Sequence, residues 1–336
     1  MAFEKLSDHA TAAARAAAVW RWFRRIMLWT LTPILAAIVL WVLWSLVAYR
    51  DIPVAVLEQR YGDEYLATVD IEGVPLRYRV QGQGPALLLI HSHYFNMRMW
   101  DDWLPELTQH YSVIRFDMTS HGLTGPEPSD DYGMDRDLAL ILGLLDHLDV
   151  DRFSVVGSSL GGNMAFHLAG RYPERVEKLA LINSGGIPRP GSRGTQGTIP
   201  GWVDYMAYLV PTAAFRSFLE WMIIDDTLVT DGLVDEFHQM FRREGNRFAE
   251  FNRLRGFKVG DPTDVLAAVQ APVLLMWGKD NPQLPTAQVD KFEALLVNAA
   301  SVERIIYPGV GHVIPLEIPA RGSRDLNAFL AAGSSE

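Results

Sequence analysis

"FSVVGSSLGGNMAFHLAGRYP", residues 153–173, decides how this chain is read. Phe153–Gly157 is a short apolar run of the kind buried on both faces of a parallel sheet. Gly157-Ser158-Ser159-Leu160-Gly161 follows as a G-x-S-x-G, and Gly161-Gly162 opens a helical stretch. The pentapeptide alone is common. Placed between a strand and a helix, it specifies a sharp turn that lifts the Ser159 hydroxyl out of the sheet. The helix N-terminus beyond it favours negative charge developing nearby. Ser158 lacks the flanking-glycine spacing, so Ser159 is the candidate nucleophile. The bland alternative is a glycine-rich turn with a buried serine.

A serine hydroxyl needs a base. His312 is the candidate among the nine histidines. It stands in "YPGVGHVIPLEIP", a loop beyond the last expected strand, from which an imidazole can reach over the sheet end. His167 lies on the helix after Ser159 and reads as packing. His9, His110, His147 and His238 have no motif around them.

The rest of the chain alternates in the same manner. "YLATVDI" (65–71) and "VPLRYRV" (74–80) flank Glu72-Gly73 and read as a hairpin. Strand runs follow at 86–92, 111–118, 152–158, 179–184, 272–278 and 302–309, with a helical pattern over 133–148. This alternation predicts an α/β fold with a mostly parallel sheet flanked by helices. Residues 187–270 form too long a gap for a simple crossover. They begin within a Gly/Pro-rich stretch, "GGIPRPGSRGTQGTIPGW", and continue as helical, aromatic-rich segments, so an inserted helical cap is expected there.

Net charge is −10 (Lys+Arg 30, Asp+Glu 40), which argues against a nucleic-acid partner. The chain has no cysteine, which excludes disulfides and thiol chemistry. Its N-terminus stands apart. Ile26–Tyr49 contains no charged residue and would extend roughly 36 Å as a helix, enough for a bilayer core. It is too long for a signal-peptide core. Trp20, Trp22, Trp29, Trp41, Trp44 and Tyr49 suit interfacial belts. Lys5, Arg15, Arg21, Arg24 and Arg25 precede the span, and only Arg50 and Arg60 follow it closely. The expectation is a single-pass membrane protein with a cytoplasmic N-terminus and its body on the periplasmic or extracytoplasmic side. The expected organisation is a cytoplasmic segment (1–25), a transmembrane helix (26–49), a first core part (50–186), a helical cap (187–270) and a second core part (271–336).

Five blocks then carry a resemblance: "LLLIHSHYFNMRMW" (87–100), "VIRFDMTSHGLTGP" (113–126), the Ser159 turn, "PVLLMWGKDNPQLP" (272–285) and "GVGHVIPLE" (309–317). In this order they resemble the serine-hydrolase branch of the α/β-hydrolase superfamily over roughly residues 60–332. With the anchor, the chain resembles membrane-anchored monoacylglycerol lipases and carboxylesterases. The resemblance implies Ser159 as nucleophile, His312 as general base, and the backbone N–H groups of His93 and Leu160 as oxyanion hole. It implies no cofactor and no metal, a small-molecule ester or lipid substrate, and no nucleic acid. Two departures stand out. Ser92 replaces the usual glycine after His91, and the acid position holds Asn281. The expected acid is therefore Asp280, one residue early, with Asn281 as the alternative occupant. Asp117 and His121 read as structural, and Glu317 as a brace for the His312 loop.

The resulting expectation is an esterase or lipase working through an acyl-enzyme on Ser159. The cap residues Trp202, Tyr205, Met206, Phe215, Phe218, Trp221 and Met222 would suit an acyl chain or simply pack the cap. Two alternatives stay open: a carbon–carbon bond hydrolase or haloperoxidase-like enzyme using the same triad, and a catalytically weak binding protein.

Overall fold

The computed structural model describes residues 2–188, 199–256 and 260–332, with side chains from Arg15 onward. The chain divides into two units, Met1–Arg50 and Asp51–Glu336. The first is one helix, Ala2–Ala48, with Pro33 inside it. Its segment Arg15–Ala48 is long and apolar enough to cross a membrane. The helix begins well before the apolar run because the preceding segment is rich in alanine, the strongest helix former.

The second unit is built on an eight-stranded sheet of order β1-β2-β4-β3-β5-β6-β7-β8. β1 (Ala67–Ile71) and β2 (Val74–Gln81) form the expected antiparallel hairpin. Its two-residue turn is made by Glu72 and Gly73, both at positive φ (50° and 87°), as a hairpin twisted in the natural sense requires. β2 runs antiparallel to β4 (Ser112–Phe116). β3 (Ala86–Ile90), β5 (Phe153–Ser158), β6 (Val176–Ile182), β7 (Val273–Gly278) and β8 (Val302–Tyr307) continue the sheet in parallel. β5 and β7 are buried at every residue, which explains why they read as unbroken apolar runs.

Helices Met134–His147 and Leu160–Arg171 cover one face, where Leu138, Ile141, Leu145, Met164 and Leu168 meet Leu88, Val155 and Leu181. The other face packs Leu89, Val156 and Leu274 against Trp100, Trp103, Leu326 and Phe329. Between β6 and β7, helices Thr212–Met222, Asp231–Phe241 and Asn246–Gly256 make a cap. Most of the Gly/Pro-rich stretch that was expected to open the cap (189–198) lies outside the described residues. Thr263–Ala267 belongs to the body instead: Leu266 is buried in the same cluster as the Leu160–Arg171 helix. The start of the second unit is fastened to the cap, since Ile52 N–H donates to the Arg242 carbonyl (2.8 Å) and Tyr208 O–H to Asp51 (2.9 Å).

The order of elements brings the C-terminal ends of β3 to β7 together under the cap. In open α/β sheets that edge is where ligands bind. Close approach of the Leu160–Arg171 helix to β3 depends on Gly161, where a Cβ would collide with the carbonyl oxygens of Ile90 and His91. Backbone cannot yield there as a flexible side chain would. Gly161→Ala is expected to cost about 2 kcal/mol or more in urea unfolding. Gly201→Ala, where a Cβ meets nothing within 4 Å, should stay within about 0.5 kcal/mol of the parent.

Candidate active site

Ser159 sits at the end of β5 with φ 53° and ψ −111°, a conformation that non-glycine residues rarely hold. Three neighbours share the trait: Tyr94 (φ 66°), Ser120 (φ 67°) and Asn183 (φ 42°) follow β3, β4 and β6. Strained backbone thus gathers at one sheet edge. The Ser159 carbonyl is held by Asn163 and Gly185 N–H, and its N–H by the Ile182 carbonyl. Ser158 points the other way, into the interior, where Ser92 Oγ donates to Ser158 Oγ (2.8 Å). Ser92 therefore fills the place of the usual glycine by bonding to the very serine that is not presented. The backbone N–H groups of His93 and Leu160, the expected oxyanion donors, have no hydrogen-bond acceptor among the described residues.

His312 is buried, and its backbone N–H donates to the Met222 carbonyl of the cap (2.8 Å). Its loop is braced from two sides. Glu317 accepts from the N–H groups of Gly311 (2.8 Å), Val313 (2.9 Å) and, in the cap connection, Ile224 (3.0 Å). Burial nevertheless holds the Glu317 carboxyl above its ordinary range. From the other side, Asn183 Nδ2 donates to the carbonyls of Gly311 (3.1 Å) and His312 (2.8 Å), while its Oδ1 accepts Gly278 N–H (3.0 Å). Asn183 is fully buried and forms a crossbar between β7 and the histidine loop. Nothing in the sequence marks this role; the only signal is a polar residue ending an apolar strand run.

The geometry departs from the expected acid. Asp280 Oδ2 accepts Gly309 N–H (2.7 Å) in an exposed turn. Asn281 is the residue at His312: its Oδ1 lies 3.2 Å from His312 Nδ1. The same oxygen accepts N–H from Gln283 (2.9 Å) and Leu284 (3.0 Å), so two backbone donors require the carbonyl, not the amide nitrogen, to face this way. A carbonyl accepts only, so in the neutral ring His312 Nδ1 carries the proton and Nε2 the lone pair. Asn281 Nδ2 is buried without a hydrogen-bond partner among the described residues. The reason that Asp280 does not turn in is local: Asn281 N–H donates to the Gly278 carbonyl (3.4 Å) and closes a tight turn after β7 that aims position 281 inward and position 280 at the loop 307–310.

A second polar cluster lies beside the first. His91 Nδ1–H donates to the Ser92 carbonyl (2.8 Å) and its Nε2 accepts Met118 N–H (3.0 Å), so burial holds the ring neutral, its pKa lowered to about 3. Asp117 accepts N–H from Met97 and Leu123 (both 2.7 Å), and burial pushes its carboxyl up to about 6. Both tie the loops after β3 and β4 together. His93 Nε2 lies 2.5 Å from Glu250 of the cap, and His121 lies on the same carboxylate's other side. Arg253 is fully buried and spent on Asp137 (2.8 and 3.0 Å), Thr119 and Ser120. Of the apolar cap residues, Phe215 and Met222 are buried, Phe218 is half-buried, and Trp202, Tyr205, Met206 and Trp221 are exposed.

Residues 85–319 match the family described as alpha/beta hydrolase fold, and the chain belongs to that family. It is similar to 2-hydroxy-6-oxo-2,4-heptadienoate hydrolase of Pseudomonas putida, at 26% identity over 77% of this chain and 94% of the relative. It is also similar to 2-hydroxymuconate semialdehyde hydrolase of a Pseudomonas species, at 28% identity over 77% and 91%. Among solved structures, a thermophilic esterase from Thermogutta terrifontis superposes with a TM-score of 0.65 at 21% identity, covering 79% of this chain and 96% of that one, a likeness of fold.

The Asn183 crossbar has a measurable weight. Asn183→Ala would remove the side-chain bonds to the buried backbone groups of Gly278, Gly311 and His312. The expected cost is about 2–3 kcal/mol, seen as a lower urea midpoint with an unchanged slope.

Proposed function

We propose that this protein is a serine hydrolase that cleaves uncharged, hydrophobic carboxylic esters through an acyl-enzyme on Ser159. His312 Nε2 would take the Ser159 proton as Oγ attacks the ester carbonyl, then return it to the leaving alcohol. The N–H groups of His93 and Leu160 would receive the negative charge on the carbonyl oxygen. Water then attacks the acyl-enzyme with His312 again as base, releasing the acid and free Ser159. The observation that carries this reading is the Asn281–His312 contact, because it holds the tautomer that a base at Nε2 needs. Asn281 would orient the ring as an aspartate does, without the charge that stabilises the imidazolium.

The hydrophobic preference is inferred from the aromatic side chains between the cap and the strand ends, where Phe218 meets Tyr94 and Phe237. A helix able to cross a bilayer supports a lipid-derived ester and a body held at the membrane, with the N-terminus on the cytoplasmic side as the basic flank suggests. The second reading, carbon–carbon bond hydrolysis by the same residues, is favoured by the names of the two curated relatives.

Both readings can be separated on the detergent-solubilised chain with a ladder of p-nitrophenyl esters beside a 2-hydroxy-6-oxo-dienoate. Ester turnover that rises with acyl length supports the first; turnover of the dienoate alone supports the second. Ser159→Ala should lower kcat by at least about 10³-fold and abolish fluorophosphonate labelling. Asp280→Asn should stay within about threefold of the parent. Asn281→Asp should raise kcat by about tenfold or more, well short of the ~10⁴ that a wrong tautomer costs. A fall in Asn281→Asp with a comparable fall in Asp280→Asn would overturn the assignment.

A further inference from the structure

His93, His121 and Glu250 come from three separate elements: the loop after β3, the loop after β4 and the cap helix Asn246–Gly256. Their ligand atoms all lie within 4.8 Å of one another. His121 is 3% exposed and Glu250 likewise. His121 Nδ1 lies 3.0 Å from the Thr119 carbonyl and 3.0 Å from the Ser120 hydroxyl, which itself accepts from Arg253 Nε (2.9 Å). Nε2 is buried, has no hydrogen-bond partner among the described residues, and faces Glu250 Oε2 at 3.6 Å, beyond hydrogen-bond distance. A buried polar atom without a partner is costly, and an ion between this nitrogen and the carboxylate would satisfy both.

We propose that His93, His121 and Glu250 form a binding site for a divalent transition metal of the zinc class. Two imidazoles and one carboxylate are the donor set of zinc sites that keep a fourth position open. In a tetrahedral site with bonds of about 2.1 Å, donors stand roughly 3.4 Å apart. The His121–Glu250 spacing of 3.6 Å is close to this, and the 2.5 Å His93–Glu250 contact would open by about 0.9 Å as the ion enters. His93 can move, because its ring is partly exposed and rests on Tyr94 by stacking (4.1 Å between centroids). The second layer has the form that metal-bound histidines show: with the ion on Nε2, His121 Nδ1–H would donate to the Thr119 carbonyl at 3.0 Å, a carbonyl that Arg253 also fixes (3.0 Å). The open position faces the cavity lined by His121 and Glu250, whose volume of 10 Å3 suits one water-sized ligand. The ion would staple the cap to the body and set the position of the His93 backbone, independently of which bond the enzyme cleaves.

The test uses the full chain in detergent, stripped with a chelator and dialysed against Zn²⁺ alone, with bound metal counted by mass spectrometry. One equivalent per chain is expected, with a rise in melting temperature. Glu250→Gln and His93→Ala should lose at least 100-fold in affinity while keeping the metal-free parent's circular dichroism. His110→Ala should bind as the parent does. Co²⁺ in place of Zn²⁺ should give visible absorption that Glu250→Gln removes. No stoichiometric metal, or equal binding by parent and Glu250→Gln, would overturn the proposal and leave the cluster as a hydrogen-bonded pair with a neutral histidine beside it.

Discussion

Ser159 holds a backbone conformation that its side chain disfavours, and the contacts that enforce it organise the whole edge of the sheet. Gly157, Gly161 and Gly162 let the following helix start almost against the ends of β3 and β5; at each, a Cβ would overlap a neighbouring backbone or side-chain atom. Hydrogen bonds to Ile182, Asn163 and Gly185 then lock the turn. The same closeness brings the N–H of Leu160 toward the end of β3, after which the His93 N–H also has no acceptor among the described residues. Without that packing the serine would relax, and the two backbone donors would part.

The histidine side of the site is assembled by neutral polar groups more than by charge. Asn183 links β7 to the His312 loop, Asn281 orients the ring, and Glu317 gathers three backbone N–H groups. In the proposed reaction Asn281 would keep the directional part of the usual acid's work. Its idle Nδ2 is a buried amide nitrogen that the fold leaves without a partner among the described residues. Burying an unpaired polar group is costly, so this position stands away from a stability optimum. That is the mark of a residue kept in place by the turn around it rather than by its own contacts.

The cap is joined to the body by buried polar contacts as well as by aromatic packing. Arg253 reaches from the cap helix to Asp137, Thr119 and Ser120, and Glu250 reaches to the two histidines. A buried ion pair of this kind adds little net stability over apolar packing but punishes any misplacement severely. It therefore fixes the register of cap on sheet. Phe215, Phe218 and Phe237 stack in the space that remains, with Tyr94 against Phe218.

The sheet was legible in the sequence because strands buried on both faces read as short apolar runs, and the Ser159 turn because glycines are required wherever backbones nearly touch. The long apolar helix was equally plain, since an uncharged run of that length has few other uses. Periodicity did not show where Asp280 and Asn281 would point. Their order in the chain says that an acid is near, but a single turn after β7 sends one side chain to Gly309 and the other to His312. Nor could it join His93, His121 and Glu250, which lie far apart along the chain and meet only when the cap folds over the strand ends. Local backbone needs are written in local residues; the partners of a buried polar atom are decided by whatever the fold brings against it.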